Sequence, residues 1–283
     1  MKSIGYYNGK LGPIEEMTIP MNDRVVYFGD GVYEATLTVN RIPFALEEHF
    51  DRFYSSLRLM RIDFGMTRDE LKAEIMRVVD AWGSDDTAML YWQVTRGTDH
   101  RHHEFPDPSI KPNLLITIKP YNTAPRDKRL RLITEEDTRF FHCNIKTLNL
   151  IPNVMAAQKT VEAGCDECVF HRGDMVTECA HSNVHILKNG VLKTHAADNL
   201  ILPGITRLYL VGLARQNGIP VDESGFTVSE MMDADEVIVS ASGLSAHAAC
   251  EIDGKPVGGK DPELLDRILG IYYDAFDSYV AKK

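Results

Sequence analysis

The sequence predicts an α+β protein of two domains, and three observations carry that prediction. Its 283 residues give room for about two domains of ordinary size. Strand-like and helix-like stretches are mixed without the strict alternation that a doubly wound parallel sheet requires. The segment Lys119–Lys128, KPYNTAPRDK, carries two prolines and little apolar content, so it reads as a linker. The predicted organisation is a small N-terminal domain over 1–120, an interdomain linker over 121–127 and a larger C-terminal domain over 128–283.

The first domain begins with strand candidates at Ile4–Tyr7, Val32–Val39 and Ile42–Leu46, the last two joined by a turn at Asn40–Arg41. Over 47–62, Phe50, Phe53, Tyr54, Leu57 and Met60 recur at helical spacing and form one apolar stripe. A second helix starts at Thr67–Arg68–Asp69–Glu70, where threonine and glutamate satisfy each other's backbone N–H groups; its core face is Leu71, Ile75, Val78 and Val79. Strands follow at 88–95 and 113–118, separated by the histidine-rich loop Arg96–Lys111. The second domain shows strands at 129–134 and 167–171, a helix over 150–163, and a hairpin over 185–194 turning at Asn189–Gly190. A helix over 205–216, a strand at 236–240 and a closing helix over 262–280 complete it.

Composition is that of a soluble globular protein, 44% hydrophobic and 25% charged. The net charge of −10 is scattered, with no basic stripe, which argues against nucleic acid and acidic membranes as partners. The amino terminus lacks an apolar signal core and no stretch is apolar enough to span a membrane, so a cytoplasmic location is expected. Five cysteines are an odd, sparse set and fit reduced thiols.

Three elements point to chemistry. Lys146 in CNIKTLNL stands among apolar and uncharged neighbours, where an amine is less well solvated as a cation and becomes a nucleophile toward aldehydes. Alone, it would read as a lysine snorkelling to water. In LPGITR, Leu202–Arg207, a Pro-Gly turn opens a helix whose free N–H groups, with Thr206 beside them, suit a phosphate; alone, it is an ordinary helix start. Glu178 in MVTECAHSN could pair with a protonated ring nitrogen. Amine, phosphate cradle and carboxylate are the three handles of pyridoxal 5′-phosphate.

Seven ordered blocks carry a resemblance: YFGDGVYE (27–34), EEHFDRFY (47–54), YWQVTRGTDHRHHEFP (91–106), CNIKTLNLIPNVMAAQ (143–158), VTECAHSNV (176–184), NLILPGITR (199–207) and VIVSASG (237–243). The chain resembles the class IV, or fold-type IV, pyridoxal-phosphate aminotransferases, and among them the D-amino acid aminotransferases. The resemblance implies the fold-type IV architecture, with a mixed, barrel-like sheet in the larger domain, and a homodimer. It implies transfer of an amine between a D-amino acid of the alanine, glutamate or aspartate type and a 2-oxo acid such as pyruvate or 2-oxoglutarate.

By matching position, Lys146 holds the cofactor as an internal aldimine and shuttles the proton, and Glu178 bonds the pyridine nitrogen. Arg52, Gly204, Ile205, Thr206, Ser242 and Gly243 contact the phosphate, Leu202 packs on the ring, and Tyr33 meets the substrate carboxylate. In the loop RGTDHRHHE, Arg101 and His103 match the Arg-x-His that reaches the neighbouring subunit's site and grips the α-carboxylate. Without the family, Arg52 would read as a solvated helix residue and Tyr33 as one more strand aromatic.

Rival readings attach to the same residues. A branched-chain L-amino acid aminotransferase and an aminodeoxychorismate lyase share the class, and Arg101 with His103 argues against both. His100, His102 and His103 could bind a metal in a protein without pyridoxal phosphate, but they lack the i, i+4 spacing of a zinc site. Cys165 and Cys168 have no second CxxC to support a redox role. Two departures from the family bear on substrate range and cofactor affinity: Cys179–Ala180–His181 puts an imidazole near the cofactor where a serine is expected, and Ala241 takes a position that is a hydroxyl in some relatives.

Overall fold

The computed structural model describes residues 3–281, and the chain divides into two compact units. One runs to Thr123 and takes in Ile145–Asn149 and the chain end from Tyr279; the other holds Ala124–Asn144 and Leu150–Ser278.

The first unit contains β1 (Ile4–Tyr7), β2 (Lys10–Pro13), α1 (Arg24–Phe28), β3 (Gly31–Val39), β4 (Ile42–Pro43), α2 (Leu46–Leu59), α3 (Arg68–Trp82), β5 (Ala88–Thr95) and β6 (Asn113–Pro120). The strands form one sheet in the order β2-β1-β6-β5-β3-β4, with every neighbour antiparallel. Phe50, Phe53 and Leu57 of α2 and Leu71, Ile75, Val78 and Val79 of α3 pack with Leu90, Trp92, Ile116 and Ile118 in one core. Each such side chain contributes about 1.5–3 kcal/mol by leaving water. The Thr67–Glu70 capping box forms as the sequence predicts, Thr67 N–H donating to Glu70 Oε2 at 2.7 Å and Glu70 N–H to Thr67 Oγ1 at 3.3 Å. The strand expected over Ile42–Leu46 is shorter. Ala45 takes a left-handed conformation at φ 53° that ends the extended run, and Leu46 already opens α2.

The second unit contains β7 (Leu130–Glu136), α4 (Ile151–Glu162), β8 (Glu167–Arg172), β9 (Met175–Cys179), β10 (Asn183–Lys188), β11 (Val191–Thr194), α5 (Ile205–Gln216), β12 (Val221–Asp222), α6 (Val228–Met232), β13 (Glu236–Ala241), β14 (Ser245–Ile252) and β15 (Lys255–Pro256). The closing helix α7 spans Pro262–Val280. Nine strands form a curled half-barrel in the order β12-β11-β10-β13-β14-β7-β8-β9, with β15 on β14. The sheet is mixed: β7 runs parallel to both β14 and β8, and β11 parallel to β12.

Both faces of its centre are buried. Val237 and Val239 of β13 pack with Val184, Ile186 and Phe226, while Ile238 between them packs with Leu187, Leu192, Leu210 of α5 and Leu265 of α7. A strand covered on both sides reads as a continuous apolar run, as VIV does here. The hairpin between β10 and β11 turns at Asn189 and Gly190, both at positive φ, the pairing that a two-residue turn of this hand demands. Among the described residues no helix is long and apolar enough to cross a membrane.

Candidate active site

Lys146 belongs to the first unit, where Ile145–Asn149 lies against the start of β3. Tyr33 N–H donates to Lys146 O at 2.9 Å, Leu148 N–H to Gly31 O at 3.2 Å, and Lys146 N–H to Ser56 Oγ at 3.2 Å. Only glycine permits this approach at position 31, since a Cβ there would stand 2.5 Å from Val94 O and 2.8 Å from the Leu148 side chain. The half-buried Lys146 places Nζ 4.2 Å from the centre of the Tyr33 ring, which stacks on Tyr91 at 5.5 Å. The amine therefore rests on an aromatic face within a sheet of backbone hydrogen bonds.

Arg52 is buried on α2 and bound edge-on by a carboxylate on the strand below. Its Nε and Nη2 donate to Glu34 Oε1 and Oε2, each at 2.7 Å, and His49 Nδ1 donates to Glu34 Oε2 at 2.6 Å. Burial would raise the Glu34 carboxyl, but Arg52 and then His49 hold it down at about 2. Burial also keeps the His49 imidazole below its ordinary value, against the pull of Glu34.

Arg101 and His103 come together on one ring. The Arg101 guanidinium lies 5.3 Å from the Phe28 centroid and the His103 ring 5.3 Å from it, while Arg24 Nη1 donates to the intervening His102 carbonyl at 2.9 Å. The base of the loop is anchored as well: Asp30 Oδ2 accepts from Arg24 Nε at 2.8 Å and from Arg96 Nε at 2.9 Å. His102 is engaged by Asp99 at 3.0 Å and by the Glu104 carbonyl, and among the described residues no group of three or more His, Cys, Asp or Glu could hold a metal ion.

In the second unit Glu178 ends β9 in a buried position. Its Oε1 accepts from Arg139 Nη1, and its Oε2 accepts from Asn183 Nδ2 and Leu202 N–H, both at 3.0 Å. Burial pushes the Glu178 carboxyl up to about 7 against the lowering effect of Arg139. Arg139 is itself held by Asp137, which accepts from its Nε and Nη2 at 3.0 and 2.9 Å and also receives Arg172 Nε and Thr177 Oγ1, each at 3.1 Å. Sequence reasoning missed Arg139 and Asp137. The available signal was a pair of charges in EEDTRFF beside aromatics, with no spacing rule to link them to Glu178.

Leu202 thus reaches Glu178 through its backbone, and Gly204 begins α5 with no side-chain cap among the described residues. A Cβ on Gly204 would fall 2.0 Å from Asn183 Oδ1, so a larger residue there must displace the Asn183 amide. Ile205 and Thr206 supply the first N–H groups of the helix, which have no partner within it. The Thr206 side chain meets the Tyr272 hydroxyl, as does Ser245. Ser242 and Gly243 lie on the turn from β13 to β14, closed by Leu244 N–H donating to Ala241 O at 3.2 Å. His181 is exposed and stands 2.9 Å from Glu167 Oε2 through Nδ1.

These donor sets fit a phosphorylated pyridine aldehyde. Within the second unit the uncapped helix start suits a phosphate and the carboxylate with three donors retains room to accept a ring N–H; within the first unit the amine seated on an aromatic ring suits an aldehyde.

Comparison with known proteins places the chain in a family. The profile of the amino-transferase class IV family matches residues 31–252. The chain is 40% identical over 256 residues, 88% of each sequence, to a D-alanine aminotransferase of Listeria monocytogenes serotype 4b. It is 35% identical over 278 residues, 97% of each, to a D-alanine aminotransferase of Staphylococcus aureus strain MSSA476. Among solved structures it shares its fold with the branched-chain amino acid aminotransferase of Escherichia coli, at TM-score 0.86 and 20% identity over 100% of this chain and 97% of that one. A sequence match of this extent, on a fold shared from end to end, makes the chain a member of the class IV aminotransferases.

Proposed function

We propose that this aminotransferase moves an amine between a D-amino acid and a 2-oxo acid on pyridoxal 5′-phosphate. The observation that carries the reading is identity of 35–40% to proteins named D-alanine aminotransferase over most of the chain. D-alanine, D-glutamate and D-aspartate are the donor types, and pyruvate or 2-oxoglutarate the acceptors.

When bound, the cofactor supplies an aldehyde for the amine and a ring that takes up electrons. This chain's residues do the rest. Lys146 Nζ holds the cofactor and moves a proton to and from the substrate Cα. Glu178 accepts a hydrogen bond from the ring N–H. Arg52, the N–H groups of Ile205 and Thr206, Gly204, and the Ser242–Gly243 turn bind phosphate, and Leu202 packs against the ring. Tyr33 meets the substrate carboxylate, and Arg101 with His103 grips it through charged hydrogen bonds. His181, close to Glu178 in sequence, is placed beside the cofactor as well, with its Nδ1 2.9 Å from Glu167 Oε2.

The enzyme acts as a homodimer whose Arg101 loop serves the neighbouring subunit. Exposed apolar residues support an interface: Val26 and Tyr27 on α1, and Ile151, Val154, Met155 and Val161 on α4.

Activity with D-alanine and L-leucine, each with 2-oxoglutarate, tests the reading. Turnover of D-alanine is expected, and activity confined to L-leucine would replace it with the branched-chain alternative. Visible absorbance of the bound cofactor should disappear in Lys146→Ala.

A further inference from the structure

We propose that Glu34 and His49 are positioning residues that lock the Arg52 guanidinium in one orientation for the cofactor phosphate. The inference rests on the assignment of Arg52 to that phosphate.

Glu34 stands on β3 with its side chain wholly buried beneath α2, opposite Trp92 in the register of β3 with β5. A carboxylate in such a place is costly unless both oxygens are engaged, and here they are. Its two oxygens take the Nε and Nη2 edge of Arg52, a fork-on-fork contact that fixes the plane of the guanidinium as well as its place. His49 holds the fork from the other side. Its Nδ1 donates to Glu34 Oε2 at 2.6 Å, and its ring meets Trp92 edge to face at 6.1 Å, so the imidazole cannot rotate without disturbing the core.

The clamp is tied to the lysine segment through the strand itself. Tyr33, the neighbour of Glu34, donates its N–H to Lys146 O at 2.9 Å. One strand therefore carries the support of the anion-binding arginine and the seat of the reactive amine on adjacent residues. An arginine ordered in advance gives up less rotamer freedom when it meets an anion, an advantage of about tenfold in affinity for one long side chain.

Coulomb attraction alone predicts the opposite effect of removing Glu34, and this makes the test decisive. Glu34→Gln makes the surroundings of Arg52 more positive, so simple electrostatics predicts tighter phosphate binding. Loss of the clamp predicts weaker binding. Titrations of the full chain with pyridoxal 5′-phosphate and with unphosphorylated pyridoxal, read by absorbance, separate the two.

The expected result for Glu34→Gln is a dissociation constant for pyridoxal 5′-phosphate raised about tenfold, with that for pyridoxal unchanged. His49→Gln, whose amide still donates to Glu34, should stay near the parent, and His49→Phe should follow Glu34→Gln. Equal or tighter phosphate binding in Glu34→Gln would overturn the proposal, as would equal loss for both ligands, which marks general damage. Should Glu34→Gln fail to fold, the His49 pair decides, and equal constants for its two variants overturn the proposal. A parent chain that binds no pyridoxal 5′-phosphate refutes the cofactor reading itself, a different outcome from a parent that binds and a variant that does not change.

Discussion

Arg139 donates from Nη1 to Oε1 of Glu178 within the second unit, and both side chains are buried. The guanidinium is the counter-charge that limits how far burial raises the carboxyl. Arg139→Leu should destabilise the chain by about 3–5 kcal/mol, because a buried carboxylate loses its partner and Asp137 loses a bidentate donor. Adding Glu178→Gln to that variant should recover about 1–3 kcal/mol. Urea unfolding of the two single variants and the double variant measures both.

Gly204→Ala should act on Glu178 from a distance. The added methyl displaces the Asn183 amide, which donates to both Glu178 Oε2 and Leu202 O at 3.0 Å. A loss of about 1–3 kcal/mol is expected from this overpacking, visible as a lower Tm. Cofactor affinity should weaken with it.

Two buried carboxyls give opposite pH dependences. Glu34 is held at about 2, below its ordinary 4.5, so the unfolded chain takes up its proton first as pH falls. The stabilisation it provides is complete above about 4.5 and lost toward 2, up to about 3 kcal/mol, and Glu34→Gln should flatten the acid limb of a stability–pH curve. Glu178 is raised from 4.5 to about 7, so its contribution is complete below 4.5 and lost as pH rises through 7. Without cofactor, Glu178→Gln should therefore gain on the parent between pH 5 and 8. Denaturant melts from about pH 2 to 5 give the Glu34 slope, and melts from about pH 5 to 8 give that of Glu178.

Arg101→Leu should raise KM for D-alanine about 10–100-fold, the range of one lost hydrogen bond to a charged group, while the cofactor absorbance stays. Phe28→Leu removes the ring on which Arg101 and His103 rest and should raise KM in the same direction by about threefold. Steady-state kinetics and a visible spectrum of each variant decide this. Loss of colour in Arg101→Leu would assign the residue to the cofactor instead.

Much of the scaffold was legible because its signals are local. The bounds of β1, β5, α5 and α7 match those read from apolar periodicity and turn residues. α1 was missed because five residues leave no period to detect. β14, SAHAACEI, was missed because small residues and a histidine have weak strand preference; pairing with β13 and β7 makes it a strand. At the candidate site, Lys146 and the Gly204 turn had some local chemistry to notice, whereas Arg52, Tyr33, Arg101 and His103 were promoted by family resemblance. Asp137 and Arg139 remained invisible, since Arg139 meets Glu178 39 positions later and only the folded sheet brings them together.

The five residues around Lys146 count with the first unit, although the chain on either side of them counts with the second. The end of α7 does the same, with Val280 O accepting from Asn40 Nδ2 at 3.0 Å and Tyr279 set against Phe44 at 5.1 Å. A fragment stopping at Thr123 would leave Tyr33 N–H and Gly31 O without these partners, and would expose Phe44. On the ribosome, the first unit can complete these contacts only when α7 has emerged, and the Lys146 segment joins it after most of its sheet already exists.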